Sequence, residues 1–282
     1  MSYTPYRVPI LSDIRSKNLL SLYKRGVRSD QRDFLSPRNV SIQLGVIDKA
    51  DGSAWVKLGN TQVIVGVKLE VGTPFRDTPN EGVLQVNSEL VPTASPVFEP
   101  GPPDENAIEL SRVIDRSLRD PKAVDLGSLV IRAGEKVWSL WIDVYVIDYD
   151  GNYFDASMLG VMAALMNTKV PEYEETESGE VIINREKGYP LKLNKRVVLV
   201  TTVKIGNYIL VDPNLDEELL ADSRMVIAFD EQGNIVGIQK TGLGSYTKDE
   251  LLKTIEVSRQ ASQVYFKLLD QSLQMSRGTP SG

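Results

Sequence analysis

The stretch FEPGPPDENAIELSRVIDRSLR, residues 98–119, changes character in its middle. Its prolines at 100, 102 and 103 can neither continue a helix nor donate within a central strand. Asp104 is a sound N-cap, and the residues after it predict a helix from Glu105 to Arg119. Ala107, Leu110, Ile114 and Ser117-Leu118 share one face, which would pack inward. On both sides of this helix the apolar period is two. Val40, Ile42 and Leu44 alternate with Ser41, Gln43 and Gly45. Trp55 to Leu58 and Gln62 to Val71 predict two strands joined through Gly59-Asn60, a hairpin signal. Leu84 to Val91, Leu129 to Arg132 and Lys136 to Asp148 predict three more. A lone amphipathic helix among such strands implies an α+β fold.

The arrangement recurs downstream. A small-residue helix is expected from Asp155 to Met166, with Asp155 as its cap. Strands are expected at Val197–Val203, Tyr208–Val211, Met225–Phe229 and Ile235–Lys240. A last helix starts at a Thr247/Glu250 capping box, with Leu251, Ile255, Ser258, Ala261, Val264 and Leu268 as its apolar stripe. An N-terminal amphipathic helix, 11–25, is closed by Gly26. The chain therefore divides into a helical arm (1–27), a first half (28–170), an acidic linker or hairpin (171–190), a second half (191–276) and a frayed tail (277–282).

Among its 282 residues there is no cysteine and no histidine. That excludes disulfides, thiol nucleophiles, Ser-His-Asp chemistry and Cys/His zinc sites. No apolar run approaches the roughly 20 residues that span a bilayer, and the start lacks signal-peptide character, so a cytoplasmic protein is expected. A net charge of −6 does not suit a stand-alone nucleic-acid binder, so any contact with RNA would use a local patch within an assembly.

Such a patch exists on the helix 105–119. Arg112, Arg116 and Arg119 fall at i, i+4 and i+7, on one outward face. Like charges at that spacing cost about 0.2–0.5 kcal/mol per pair unless neutralised, and the guanidinium fork grips phosphate well. The same pattern also fits a solvated face with Glu109–Arg112 and Asp115–Arg119 pairs. Asp148, Asp150 and Asp155 fit a metal site, or equally a turn at Asp150-Gly151-Asn152 followed by a cap. Asp212, Asp216, Glu217, Glu218 and Asp222 read as a carboxylate-rich, solvated loop. Gly242-Leu243-Gly244-Ser245 is similar to an anion-binding turn.

Several motifs stand in a recognisable order. They are Gly26-Val27-Arg28-Ser29-Asp30-Gln31-Arg32, Gly59-Asn60-Thr61-Gln62-Val63, the stretch from Phe98 to Leu110, Asp115-Arg116-Ser117-Leu118-Arg119, Val211-Asp212-Pro213 and Ile238-Gln239-Lys240-Thr241-Gly242. With these the chain resembles the RNase PH family over nearly its whole length, and within it the non-catalytic core subunits of the archaeal exosome. The resemblance implies an α+β fold of two β-rich repeats with packed helices, associated into a six-membered ring. It implies alternation with a catalytic RNase PH-like paralogue, RNA-binding cap proteins on the ring, and single-stranded RNA in its channel. Inorganic phosphate would be the co-substrate, with magnesium at the partner's active site. No cofactor would be held by this chain.

Where catalytic members of the family carry an Arg pair, this chain has Glu105-Asn106. Where they carry a phosphate-cradling G-G-[TS]-R run, it has Gly151-Asn152-Tyr153-Phe154. Of two family acidic positions, Glu218 takes the first and Arg224 the second. Phosphorolysis needs the attacking phosphate neutralised and the leaving oxygen assisted. The expectation is therefore no catalytic and no metal-binding residue, with Arg112 and Arg116 carried over as the RNA-backbone contacts. Two alternatives stay open: an active phosphorolytic exoribonuclease using Asp216, Glu218 or Asp222 as its acid, and a ring spacer that never touches RNA.

Overall fold

Period-two segments build strands at nearly every place the sequence predicts them. The computed structural model describes residues 11–176 and 180–278. Its elements are α1 (Asp13–Lys24), β1 (Val40–Leu44), β2 (Gly52–Leu58), β3 (Thr61–Gly72), β4 (Val83–Leu90), α2 (Glu105–Arg119), β5 (Val130–Arg132), β6 (Lys136–Asp148), α3 (Tyr153–Met166), β7 (Lys169–Glu175), β8 (Val181–Pro190), β9 (Val197–Ile205), β10 (Tyr208–Val211), α4 (Leu215–Leu220), β11 (Ser223–Asp230), β12 (Ile235–Thr241) and α5 (Lys248–Gly278).

The first sheet runs β1-β2-β3-β6-β4, with β5 paired to β6. In β3, Val63, Val65, Val67 and Leu69 face inward while alternate residues are half-exposed. β4 lies parallel to β6, so the chain needs a crossover between them, and α2 supplies it. The second sheet runs β10-β9-β11-β12, all antiparallel. The acidic 171–190 segment forms its own hairpin, β7 with β8.

Helix α3 lies between the sheets, against β2 and β3 on one side and β9 on the other. Every residue from Tyr153 to Leu165 is buried. Gly160 permits the close approach, since a Cβ there would sit 2.8 Å from Val65 Cγ2. A single apolar cluster consequently spans both sheets, from Ala54 to Leu269. At the other margin, Leu19 and Tyr23 of α1 pack on Val203, Ile205 and Leu210.

Three expectations change. Helix α3 is capped by Asn152, which accepts from Asp155 N, so Asp155 is not the cap. Helix α5 buries Val257, Ser258, Ala261, Tyr265 and Leu269, whereas Val264 is exposed and Leu251, Ile255 and Leu268 are half-buried. Thr254 and Ser262 are buried in this rotated stripe with their hydroxyls bonded to their own helix, Thr254 Oγ1 to Glu250 O at 2.8 Å and Ser262 Oγ to Arg259 O at 2.7 Å. α5 also continues to Gly278, past the expected start of fraying, and residues 279–282 lie outside the described residues, as do 1–10 of the arm.

Candidate nucleic-acid interface

Helix α2 presents the predicted arginines, but in two different states. Arg119 is tied down: its Nη2 donates to Asp115 Oδ1 at 2.7 Å and to Leu84 O at 2.9 Å. Glu109 turns away from Arg112 and accepts instead from Arg224 and Gln239. Arg112 and Arg116 are exposed, and among the described residues neither side chain enters a hydrogen bond or ion pair. Two unpaired guanidinium groups therefore project side by side from a helix anchored by Leu110, Ile114 and Leu118, all fully buried. That combination suits a polyanion backbone: rigid support below, uncompensated charge above.

The neighbouring start of α3 is filled by the protein itself. Gly151 and Asn152 take positive φ, at 84° and 55°, turning the chain into the helix. Asn152 N donates to Glu218 Oε1 at 3.0 Å, and Tyr149 Oη to Glu218 Oε2 at 2.5 Å. A helix N-terminus favours an anion, and here that anion is Glu218. Burial, then the Glu218 charge, holds the Tyr149 hydroxyl well above its ordinary pKa, so it stays a donor. Arg224 completes the cluster. Its guanidinium lies 4.6 Å from the centre of the Phe154 ring and donates to Glu109 Oε2 at 3.1 Å. Burial opposes its charge, but Glu218, Tyr153 and Glu109 around it raise its pKa above the usual arginine value.

The carboxylates considered for metal do not converge. Asp148 accepts from Gln62 and Asp150 from Asn60. Asp155 is buried and accepts from Thr201 Oγ1 (2.7 Å), Asn152 Nδ2 (2.9 Å) and Tyr265 Oη (3.0 Å). Among the described residues no three ligating side chains form a group. Arg224, standing where the resemblance puts an acid, would repel a divalent cation. In the turn 242–245, Gly244 N donates to Asp222 O, while the carbonyls of Gly242 and Ser245 accept from Lys240 and Lys204.

The acidic 212–222 segment is not a solvated loop. It includes α4, whose Asn214/Glu217 pair is a capping box visible in the sequence but unread there. Asp216 pairs with Arg15 at 2.7 Å, and Asp222 accepts from Gly206 N. Glu217 accepts from Arg28 Nε at 2.9 Å, and a second Arg28 nitrogen also bonds it; both side chains are fully buried. Arg28 donates further to Val211 O (2.8 Å) and Asp212 O (2.9 Å). Asp212 accepts from Arg38 Nη2 at 2.8 Å and Nε at 2.9 Å. Burial alone would raise the Asp212 pKa, but the Arg38 hydrogen bonds and charge hold it below the usual carboxylate range. The motif from Gly26 to Arg32 thus serves as a clamp between the N-terminal segment and the second sheet.

Two models of the 3′ exoribonuclease family match this architecture, domain 1 over residues 36–171 and domain 2 over residues 195–261. The chain belongs to the RNase PH (3′ exoribonuclease) family. This RNase PH chain is 60% identical over 274 residues to the exosome complex component Rrp42 of Aeropyrum pernix, a match covering 97% of this chain and 99% of that protein. It is 47% identical over 267 residues to Rrp42 of Methanothermobacter thermautotrophicus, covering 95% and 98%. Among solved structures, a chain of the Archaeoglobus fulgidus exosome with RNA bound to the active site superposes with a TM-score of 0.82 at 46% identity, covering 90% of this chain and 98% of that one. Rice Rrp46, at 18% identity and a TM-score of 0.68 over 88% of this chain and 100% of that one, shares the RNase PH fold.

Proposed function

We propose that this chain is a non-catalytic ring subunit of an exosome, a phosphate-dependent 3′–5′ exoribonuclease. The observation that carries the reading is the contrast between two neighbouring surfaces. Arg112 and Arg116 stand exposed and unpaired, while at the family's phosphate and acid positions Glu218 accepts from Asn152 N and Tyr149 Oη, and Arg224 bonds to Glu109 and stacks on Phe154. A phosphate arriving at the α3 N-terminus would meet a carboxylate already in place. Arg224, at the second acid position, holds its proton too tightly to pass it to a leaving oxygen there.

In this reading the subunit alternates with a catalytic RNase PH-like paralogue in a hexameric ring that carries RNA-binding cap proteins, in the cytoplasm. Phosphate and magnesium bind at the partner's site. A phosphate oxygen attacks the 3′-terminal phosphodiester, releasing a nucleoside diphosphate and leaving a chain one nucleotide shorter. Arg112 and Arg116 hold the backbone upstream of that bond without reading bases, which suits processive, sequence-independent degradation. The names of the Rrp42 relatives and of the exosome structures support this assignment.

The test is phosphate-dependent shortening of a 3′-tailed RNA by the purified chain, alone and mixed with a catalytic partner. Silence alone and activity in the mixture is the expected result. Nucleoside diphosphate release by the chain alone would overturn the non-catalytic assignment and make Asp216, Glu218 or Asp222 its acid.

A further inference from the structure

Glu109 is where α2 is tied to the second sheet. Its Oε2 accepts from Arg224 Nη2 at 3.1 Å, and its Oε1 from Gln239 Nε2 at 3.2 Å. Among the described residues these are the hydrogen bonds joining α2 to β11 and β12. Beside these bonds Val113, Arg116 and Ser117 face Leu199, Val226 and Gly237 across a cleft of about 150 Å³. The opposite side of α2 is dense. Leu110, Ile114 and Leu118 are fully buried, and Ser88 Oγ donates to Ala107 O at 2.5 Å. The first sheet therefore holds the helix chiefly by burial, and the polar tie to the second runs through one carboxylate. Residues 109, 112 and 116 lie three and four apart, so Glu109 shares its face with the two exposed arginines. Arg224 is fixed in turn by stacking on Phe154.

We infer that Glu109 and Arg224 are positioning residues, which register α2 against the second sheet and so set where Arg112 and Arg116 meet the RNA backbone. The inference rests on the reading that those arginines contact RNA. A charge-assisted hydrogen bond works over about 2.7–2.9 Å. Two guanidinium groups aimed at neighbouring phosphates thus tolerate little sliding or rotation of the helix that carries them.

The test uses rings assembled with a catalytic partner and a 3′-tailed single-stranded oligoadenylate. Glu109→Ala, Arg224→Met and the swap Glu109→Arg/Arg224→Glu are compared for KM and kcat. Positioning predicts that both single variants raise KM for RNA about fivefold with kcat at saturating RNA retained, and that the swap recovers most of the loss. A general field effect predicts opposite signs instead: removing a negative charge beside the RNA would tighten binding, and removing a positive one would weaken it. Tighter binding by Glu109→Ala, or an unchanged KM in that variant, overturns the inference. Arg112→Glu is the control. If it raises KM while Glu109→Ala does not, positioning falls and the RNA contact stands; if Arg112→Glu also leaves KM unchanged, the RNA contact itself falls. Glu109 is only half-buried and alanine favours helix, so Glu109→Ala reports even if Arg224→Met fails to assemble.

Discussion

Tyr265 Oη donates to Asp155 Oδ2 at 3.0 Å, linking the middle of α5 to the first turn of α3 through the interior. Asp155 is wholly enclosed, and burial, then the charge of Asp212, pushes its carboxyl up to about 7 against the pull of Asn152 and Thr201. The sign follows from proton counting. Between the ordinary carboxylate value near 4 and about 7, the folded state keeps a proton that the unfolded state releases. The contribution of Asp155 to stability is therefore full below about pH 4 and is lost as pH rises to about 7. In Asp155→Asn, thermal unfolding followed over that range should show a flatter pH dependence than wild type; an unchanged slope would remove Asp155 from the account. Tyr265→Phe should lower Tm by several degrees, reflecting about 1–3 kcal/mol for a hydrogen bond to a buried carboxyl group.

Breaking the Arg28–Glu217 pair should be costly. Both side chains are fully enclosed, so removing one leaves the other a buried charge without a partner. Glu217→Ala is expected to lose about 3–5 kcal/mol in denaturant unfolding. A loss of under a few tenths of a kcal/mol would mean that the clamp around residues 26–32 is dispensable.

Charge reversal on the exposed face of α2 should act on RNA and spare the fold. For single strands, log affinity falls with log salt by about 0.7 per phosphate neutralised. Arg112→Glu or Arg116→Glu in assembled rings should weaken RNA binding and reduce the salt slope by about that amount. Ring assembly, read by size-exclusion chromatography, should not change. Wild-type slopes in both variants would leave the subunit as a spacer.

Gly151 sits at φ 84° with Asn214 beside it, and a Cβ there would lie 2.4 Å from Asn214 C. Gly151→Ala must therefore push the turn away from the 213–215 backbone, against both strain and contact. A loss of more than about 2 kcal/mol is expected, measured by chemical denaturation. A neutral outcome would show that this crossing point yields easily.

The sequence was most legible where one physical signal acted alone. Helix α2 begins and ends where its cap and apolar stripe place it, and β6 runs from Lys136 to Asp148 as its alternation predicts. Legibility failed where polar residues turn inward. The carboxylates of Asp212 and Glu217 are buried because arginines distant in the chain, Arg38 and Arg28, come to meet them. Nothing local announces such a pairing. The α5 stripe was displaced for a related cause, since Thr254 and Ser262, with hydroxyls bonded to their own helix, pass as core residues. At the candidate interface the position of Arg112 and Arg116 was readable, but their freedom was not. That depended on Glu109 choosing Arg224, 115 residues away, over its neighbour one turn along.

Helix α3 has a bearing on how the chain is made. Nearly all of its surface is apolar and enclosed, on one side by strands synthesised before it and on the other by β9, synthesised after it. During synthesis the segment from Tyr153 to Leu165 therefore emerges with half of its covering still untranslated. Until β9 and α5 arrive, that oily flank faces water, a chaperone, or another nascent chain. The cover of α3 is complete only once β9 and α5 have been made, and the exposure of the chain to aggregation falls in that interval.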